Sequence, residues 1–149
     1  MSTYTKEVGK KLNALLEKTY DAEKGFKKAA ENVKNNSLKK YFELKAQERY
    51  SFGYELKTEI RAFNQEIDKG GSLTGTAHRA WMDIKAMFSM GDEESMLEEA
   101  ITGEKAAIEE YKEVLKEISL PSSTKSLLEA QKNKIENGLH NIKVLEEIS

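Results

Sequence analysis

The sequence predicts an all-α protein, a bundle of four long helices arranged as two antiparallel hairpins joined by a long crossover that contains a short helix. Proline occurs once in 149 residues while Lys, Glu, Leu and Ala abound, a composition that favours helix throughout. Apolar residues recur in steps of three and four along four stretches, the spacing that lines one face of a helix. The breaks between these stretches are short in two places and long in one, which orders the helices in space. A chain of this length forms one domain, residues 1–149, with a single core.

The first helix is expected over about Thr3 to Lys34, burying Leu12, Leu15, Thr19, Ala22, Phe26, Ala29 and Val33. Asn35-Asn36-Ser37 interrupts it, and Asn36 or Ser37 is suited to cap the next helix through its side-chain oxygen. That second helix carries either the seam Phe42, Ala46, Arg49, Gly53, Leu56, Ile60, Phe63, Ile67 or the seam Leu38, Phe42, Lys45, Arg49, Phe52, Leu56, Phe63. It is expected to stop at Gly70-Gly71, where a glycine-rich loop begins.

A short helix follows from about Thr76 to Met90, its stripe formed by Ala77, Trp81, Ile84 and Phe88. Trp81 and Phe88 are the side chains expected to pin this crossover onto the helices, Trp81 being the largest available to bury. Gly91 ends the segment. Asp92, Glu93 and Glu94 then open a third long helix with acids at its positive end, and it runs to about Ser119. After Leu120-Pro121, the last helix shows Leu128, Gln131, Ile135, Gly138, Ile142 and Leu145 on one face, with Pro121 fitting its first turn. Tight turns make each pair antiparallel, and residues 69–91 are long enough to climb back along the pair. Two hairpins with one long crossover between them is the ferritin-like arrangement.

One polar residue stands on a core seam of the third helix. The series Leu97, Ile101, Glu104, Ile108, Tyr111, Leu115 and its neighbour Leu97, Ala100, Glu104, Ala107, Tyr111, Val114 both pass through Glu104. A buried carboxylate costs several kcal/mol (order of magnitude) unless it is paired, protonated or bound to metal. Counting from the hairpin turns, Glu23 lies 11 residues before Lys34 and Glu48 lies 11 after Ser37. Glu104 lies 15 before Ser119, and Glu136 lies 15 after Pro121. At about 1.5 Å per residue these four carboxylates fit one layer.

Two readings of that layer stand side by side. In one, Arg49, which lies on both seams of the second helix, pairs with Glu104 and closes the layer as an internal salt bridge. In the other, Glu23, Glu48, Glu104 and Glu136 bind iron or manganese, with His140 as the one nitrogen ligand and Tyr20 or Tyr111 as a nearby phenol. Di-iron bundles place a histidine three residues after a glutamate on two helices. Here those positions are Ser51 and Leu139, and the chain has only two histidines, His78 and His140. The residues therefore favour the salt bridge and no resident cofactor.

The totals exclude other classes. Basic and acidic side chains number 24 and 26, without the basic face that a nucleic-acid binder uses. Cysteine is absent, so there is neither a disulfide framework nor thiol chemistry. No apolar run reaches membrane-spanning length, and the first residues lack the apolar stretch of a secretory signal. A cytoplasmic protein with no membrane contact is the expectation.

The run Gly75-Thr76-Ala77-His78-Arg79-Ala80-Trp81-Met82-Asp83-Ile84-Lys85, followed by Gly103-Glu104-Lys105-Ala106-Ala107, Tyr111 and Leu115, resembles a bacterial family of small ferritin-like four-helix-bundle proteins of unassigned function. More distantly, Ala46-x-Glu48 and Glu104 with Ala107 and Tyr111 are similar to helices of rubrerythrins. The resemblance implies a ferritin-like fold in a bacterial cytoplasmic protein, and no established activity. The expected function is that of a non-enzymatic bundle that forms a homo-oligomer or binds a protein partner. The alternative is a di-metal carboxylate protein handling Fe(II), oxygen or peroxide.

Overall fold

The computed structural model describes residues 3–63, 65, 93–117 and 119–148. Among them are the helices α1 (Thr3–Asn32), α2 (Asn36–Ala62), α3 (Glu93–Glu117) and α4 (Ser122–Ile148). No strand occurs among the described residues. Trp81 and Phe88, the short helix expected around them, and the crossover as a whole lie outside the described residues.

Helix α1 packs on α2 and α3, and α4 packs on α2 and α3, while the diagonal pairs make no close backbone approach. Directions follow from side-chain contacts. Thr124 near the start of α4 meets Glu59 near the end of α2, and Gly138 far along α4 meets Tyr41 near the start of α2. Those two helices are therefore antiparallel. Early α1 (Val8, Leu12, Leu15) shares a cluster with late α3 (Ile108, Tyr111, Val114), and late α1 (Phe26, Ala29) shares one with early α3 (Met96, Leu97). So α1 and α3 are antiparallel as well. The chain runs up, down, down, up, with two apolar clusters stacked along its axis.

Periodicity accounts for the core. The expected α1 seam is buried in full, joined by Leu16. On α2 the buried set is Leu38, Phe42, Lys45, Ala46, Arg49, Phe52, Gly53, Leu56 and Ile60, so the seam through Lys45 and Phe52 faces inward along with part of the other. At about 25 cal/mol per Å2, each buried Leu, Ile or Phe contributes about 2 kcal/mol against leaving it in water.

Local chemistry moves three boundaries from where the sequence suggests. The cap of α2 is Asn35, not Asn36 or Ser37: its side chain accepts from Ser37 N–H at 2.9 Å and Leu38 N–H at 3.1 Å. Helix α2 ends at Ala62 rather than at Gly70-Gly71. There Phe63 N–H bonds to Glu59 and Ile60 carbonyls, and Gln65 N–H reaches back to Ile60 at 3.2 Å, closing the end. Gln65 then lies over Gly9, where an added Cβ would collide with its Cγ. Pro121 sits just before α4 rather than in its first turn, its carbonyl accepting from Lys125 N–H at 2.9 Å.

Candidate functional site

Where the two apolar clusters meet, four charged side chains form a closed ring. Helix α2 supplies Lys45, Glu48 and Arg49, whose spacing sets all three toward one edge of the helix, and α3 supplies Glu104. Glu104 is 0% exposed, Arg49 2% and Lys45 4%, while Glu48 is half-buried at the rim. The Arg49 guanidinium donates through Nη2 to Glu104 Oε1 and through Nη1 to Glu48 Oε1 at 3.1 Å. The Lys45 ammonium donates to Glu48 Oε1 at 2.5 Å and stands 3.3 Å from Glu104 Oε2. That last approach is off the line of a hydrogen bond, so Glu104 Oε2 is held by charge alone. Each base touches both acids, and the ring is neutral.

The surroundings are fitted to the two cations. The guanidinium carbon of Arg49 lies 5.5 Å from the centre of the Phe26 ring and 5.6 Å from that of Phe52, so two aromatic faces add to its anionic partners. Lys45 reaches the ring across Gly138 of α4: a Cβ there would fall 2.5 Å from Nζ and 3.3 Å from Cε. Tyr41 marks the same place, donating its hydroxyl to the Gly138 carbonyl at 3.2 Å. Burial pushes the Tyr41 phenol well above its ordinary range, with the Glu104 charge adding to the rise.

A second polar cluster lies further along the core. Tyr111 donates to Gln131 Oε1 at 2.6 Å, and Gln131 Nε2 donates to Glu55 at 3.1 Å and to the Phe52 carbonyl at 3.4 Å. Burial raises the Tyr111 phenol above its ordinary range, which keeps it a donor. Between α1 and α3, Thr19, Arg49 and Tyr111 border a cleft of about 30 Å3, a volume for water rather than for a substrate. The Lys18–Glu110 pair, 2.8 Å long, also borders this cleft. Burial raises the Glu110 carboxyl, and the Lys18 ammonium works against that rise.

Of the carboxylates expected in one layer, Glu48 and Glu104 come together, through Lys45 and Arg49. Glu23 is half-buried on the edge of α1 and pairs with Lys27 at 2.8 Å. Glu136 is exposed and pairs with Lys132 at 2.9 Å, and His140 is exposed. No group of three or more His, Asp or Glu side chains converges as a metal-ligand set among the described residues. Lys45 and Gln131 are buried polar residues to which spacing alone attaches no chemistry. Both carried the signal that revealed Glu104, a polar residue on an apolar seam.

The described helices and the ring define a class: an all-helical protein with internally neutralised charge at its centre. Residues 7–117 match the family described as a domain of unknown function (DUF2383), and the chain belongs to that family. The match takes in α1 from Glu7 onward, α2 and α3, and stops before α4. No curated protein matches the chain. No described helix is long and apolar enough to cross a membrane.

Proposed function

We propose that this chain is a ferritin-like bundle whose carboxylate layer is closed by its own cations, and that it acts by binding protein rather than by catalysis. The up-down-down-up order with its long connection between α2 and α3 supports the ferritin-like assignment. The observation that carries the rest is the seating of Lys45 and Arg49 against Glu48 and Glu104. A divalent ion bound there would have to displace an ammonium held by two carboxylates, or sit beside two positive charges. Glu23, Glu136 and His140 are satisfied locally or by solvent in this reading, and the working form carries no metal. A bacterial, cytoplasmic setting and a homo-oligomeric or partner-bound state belong to the same proposal.

Elemental analysis of the purified protein, before and after anaerobic Fe(II) loading and desalting, tests it. No retained iron or manganese is the expected result. About two metals per chain, the content of a di-metal bundle site, would overturn it in favour of Fe(II), oxygen or peroxide chemistry.

A further inference from the structure

We propose that the outer α1–α2 face is where a second copy of this chain docks, the two copies being related by a twofold axis running along the groove between those helices. The large hydrophobic side chains exposed among the described residues are Leu44, Tyr50 and Tyr54, all on α2. Tyr50 borders a groove of about 380 Å3 between α1 and α2, and Tyr54 stands one turn beyond it. Two small buried residues, Ala30 and Ala46, line the groove and let another surface come close. Exposed tyrosines one turn apart beside a concave seam are the residue type enriched at interfaces.

The charges on the groove walls identify the occupant. Glu31 on α1 and Lys39 on α2 each lie four residues from Asn35, and Lys27 and Glu43 each lie eight from it, so the two pairs face across the groove at successive turns. At these two levels the walls carry opposite signs, and the next sets Glu23, which pairs with Lys27 at 2.8 Å along α1, opposite the neutral Gln47. A half-turn about an axis along the groove keeps every level at its height and sets the α1 wall of one copy against the α2 wall of the other. Glu31 then meets Lys39, and Lys27 meets Glu43, in both halves of the interface. The facing α1 and α2 helices are antiparallel, which also suits their dipoles. An axis across the helices pairs like charges when it passes at either level and unlike charges only midway between them, whereas the axis along the groove pairs unlike charges at both. A ligand of one charge sign, such as a nucleic acid, meets repulsion at alternate steps. The whole outer face of the two helices, about 40 Å by about 20 Å in projection, sets a ceiling of about 800 Å2, the scale of what each partner gives to an interface of standard size.

This inference rests on reading the protein as an assembly module but has its own readout. A chain that dimerises through this face and also retains iron would sink the metal-free reading and leave the interface standing. Sedimentation equilibrium of the full chain is expected to show a reversible dimer. Tyr50→Lys and Lys27→Glu should each weaken it by about tenfold or more, and adding Glu43→Lys to Lys27→Glu should restore most of the loss. Lys27 and Tyr50 are exposed, so each variant is expected to fold, and circular dichroism is the check. Glu43→Lys alone gives the same readout from the other wall. A monomer up to about millimolar concentration would overturn the proposal. So would a dimer indifferent to Tyr50→Lys and Lys27→Glu, or a charge swap that restores nothing.

Discussion

Glu104 gains its place only because two cations meet it, and their removal has unequal consequences. Glu104→Leu leaves Lys45 and Arg49 buried with only Glu48 between them, and destabilisation of about 3–5 kcal/mol is expected. Adding Arg49→Leu leaves Lys45 with Glu48, a neutral pair, and most of the loss should return. Urea melts of both single variants and the double variant check this, and additive losses would refute the coupling. Gly138→Ala gives a sharper signature. Alanine improves a helix by about 1 kcal/mol over glycine, but here its methyl group displaces the Lys45 ammonium. The substitution should destabilise the natural chain by about 1–2 kcal/mol and stabilise a Lys45→Ala variant. The same sign in both backgrounds would show that Lys45 does not require the glycine. Glu104 and Arg49 are both visible in the sequence as charges on apolar seams. Their alliance with Lys45 is not, because even on a seam a lysine more often turns its head to solvent, and what keeps this one inside is a glycine on another helix.

At the scale of helices, apolar spacing gives existence, order and buried face, since an amphipathic stripe has only one way to meet a core. Helix ends are set by interactions that spacing does not encode. Asn35 caps α2 because its side chain reaches two free N–H groups, and Gln65 finds room over a glycine early in α1. The α1–α3 contact supplies a test by pH. The Glu110 carboxyl is raised by burial, so its contribution to stability is complete below the unfolded-state carboxylate range and falls as pH rises through the raised folded value. Glu110→Gln should match the natural chain at acid pH and exceed it at neutral pH, by under about 1 kcal/mol because Lys18 offsets part of the burial cost. Thermal melts at the two pH values decide; lower stability of the variant at neutral pH would make the Lys18 pair the stronger effect.

For the whole molecule, α4 lies beyond the family match yet completes the core. It contributes Leu128 and Ile135 to an apolar cluster, Gln131 to the Tyr111 network and Gly138 to the ring. A chain ended after Glu117 would expose one side of α2 and α3 and leave Tyr111 without its acceptor. It should lose the cooperative thermal transition of the full chain, and a sharp transition of comparable enthalpy would show that the family segment folds alone.

The diagonal helices α2 and α3 do not touch through their backbones, and the charged ring spans the gap between them. Apolar surfaces tolerate sliding, because a leucine moved along a groove finds another leucine. A shift of α3 by one turn would carry Glu104 about 5.4 Å along the axis, away from both cations and into hydrocarbon. The ring therefore works as an index pin. It adds little net binding energy, but it singles out one axial alignment of the second hairpin among neighbours that packing alone would leave nearly equivalent.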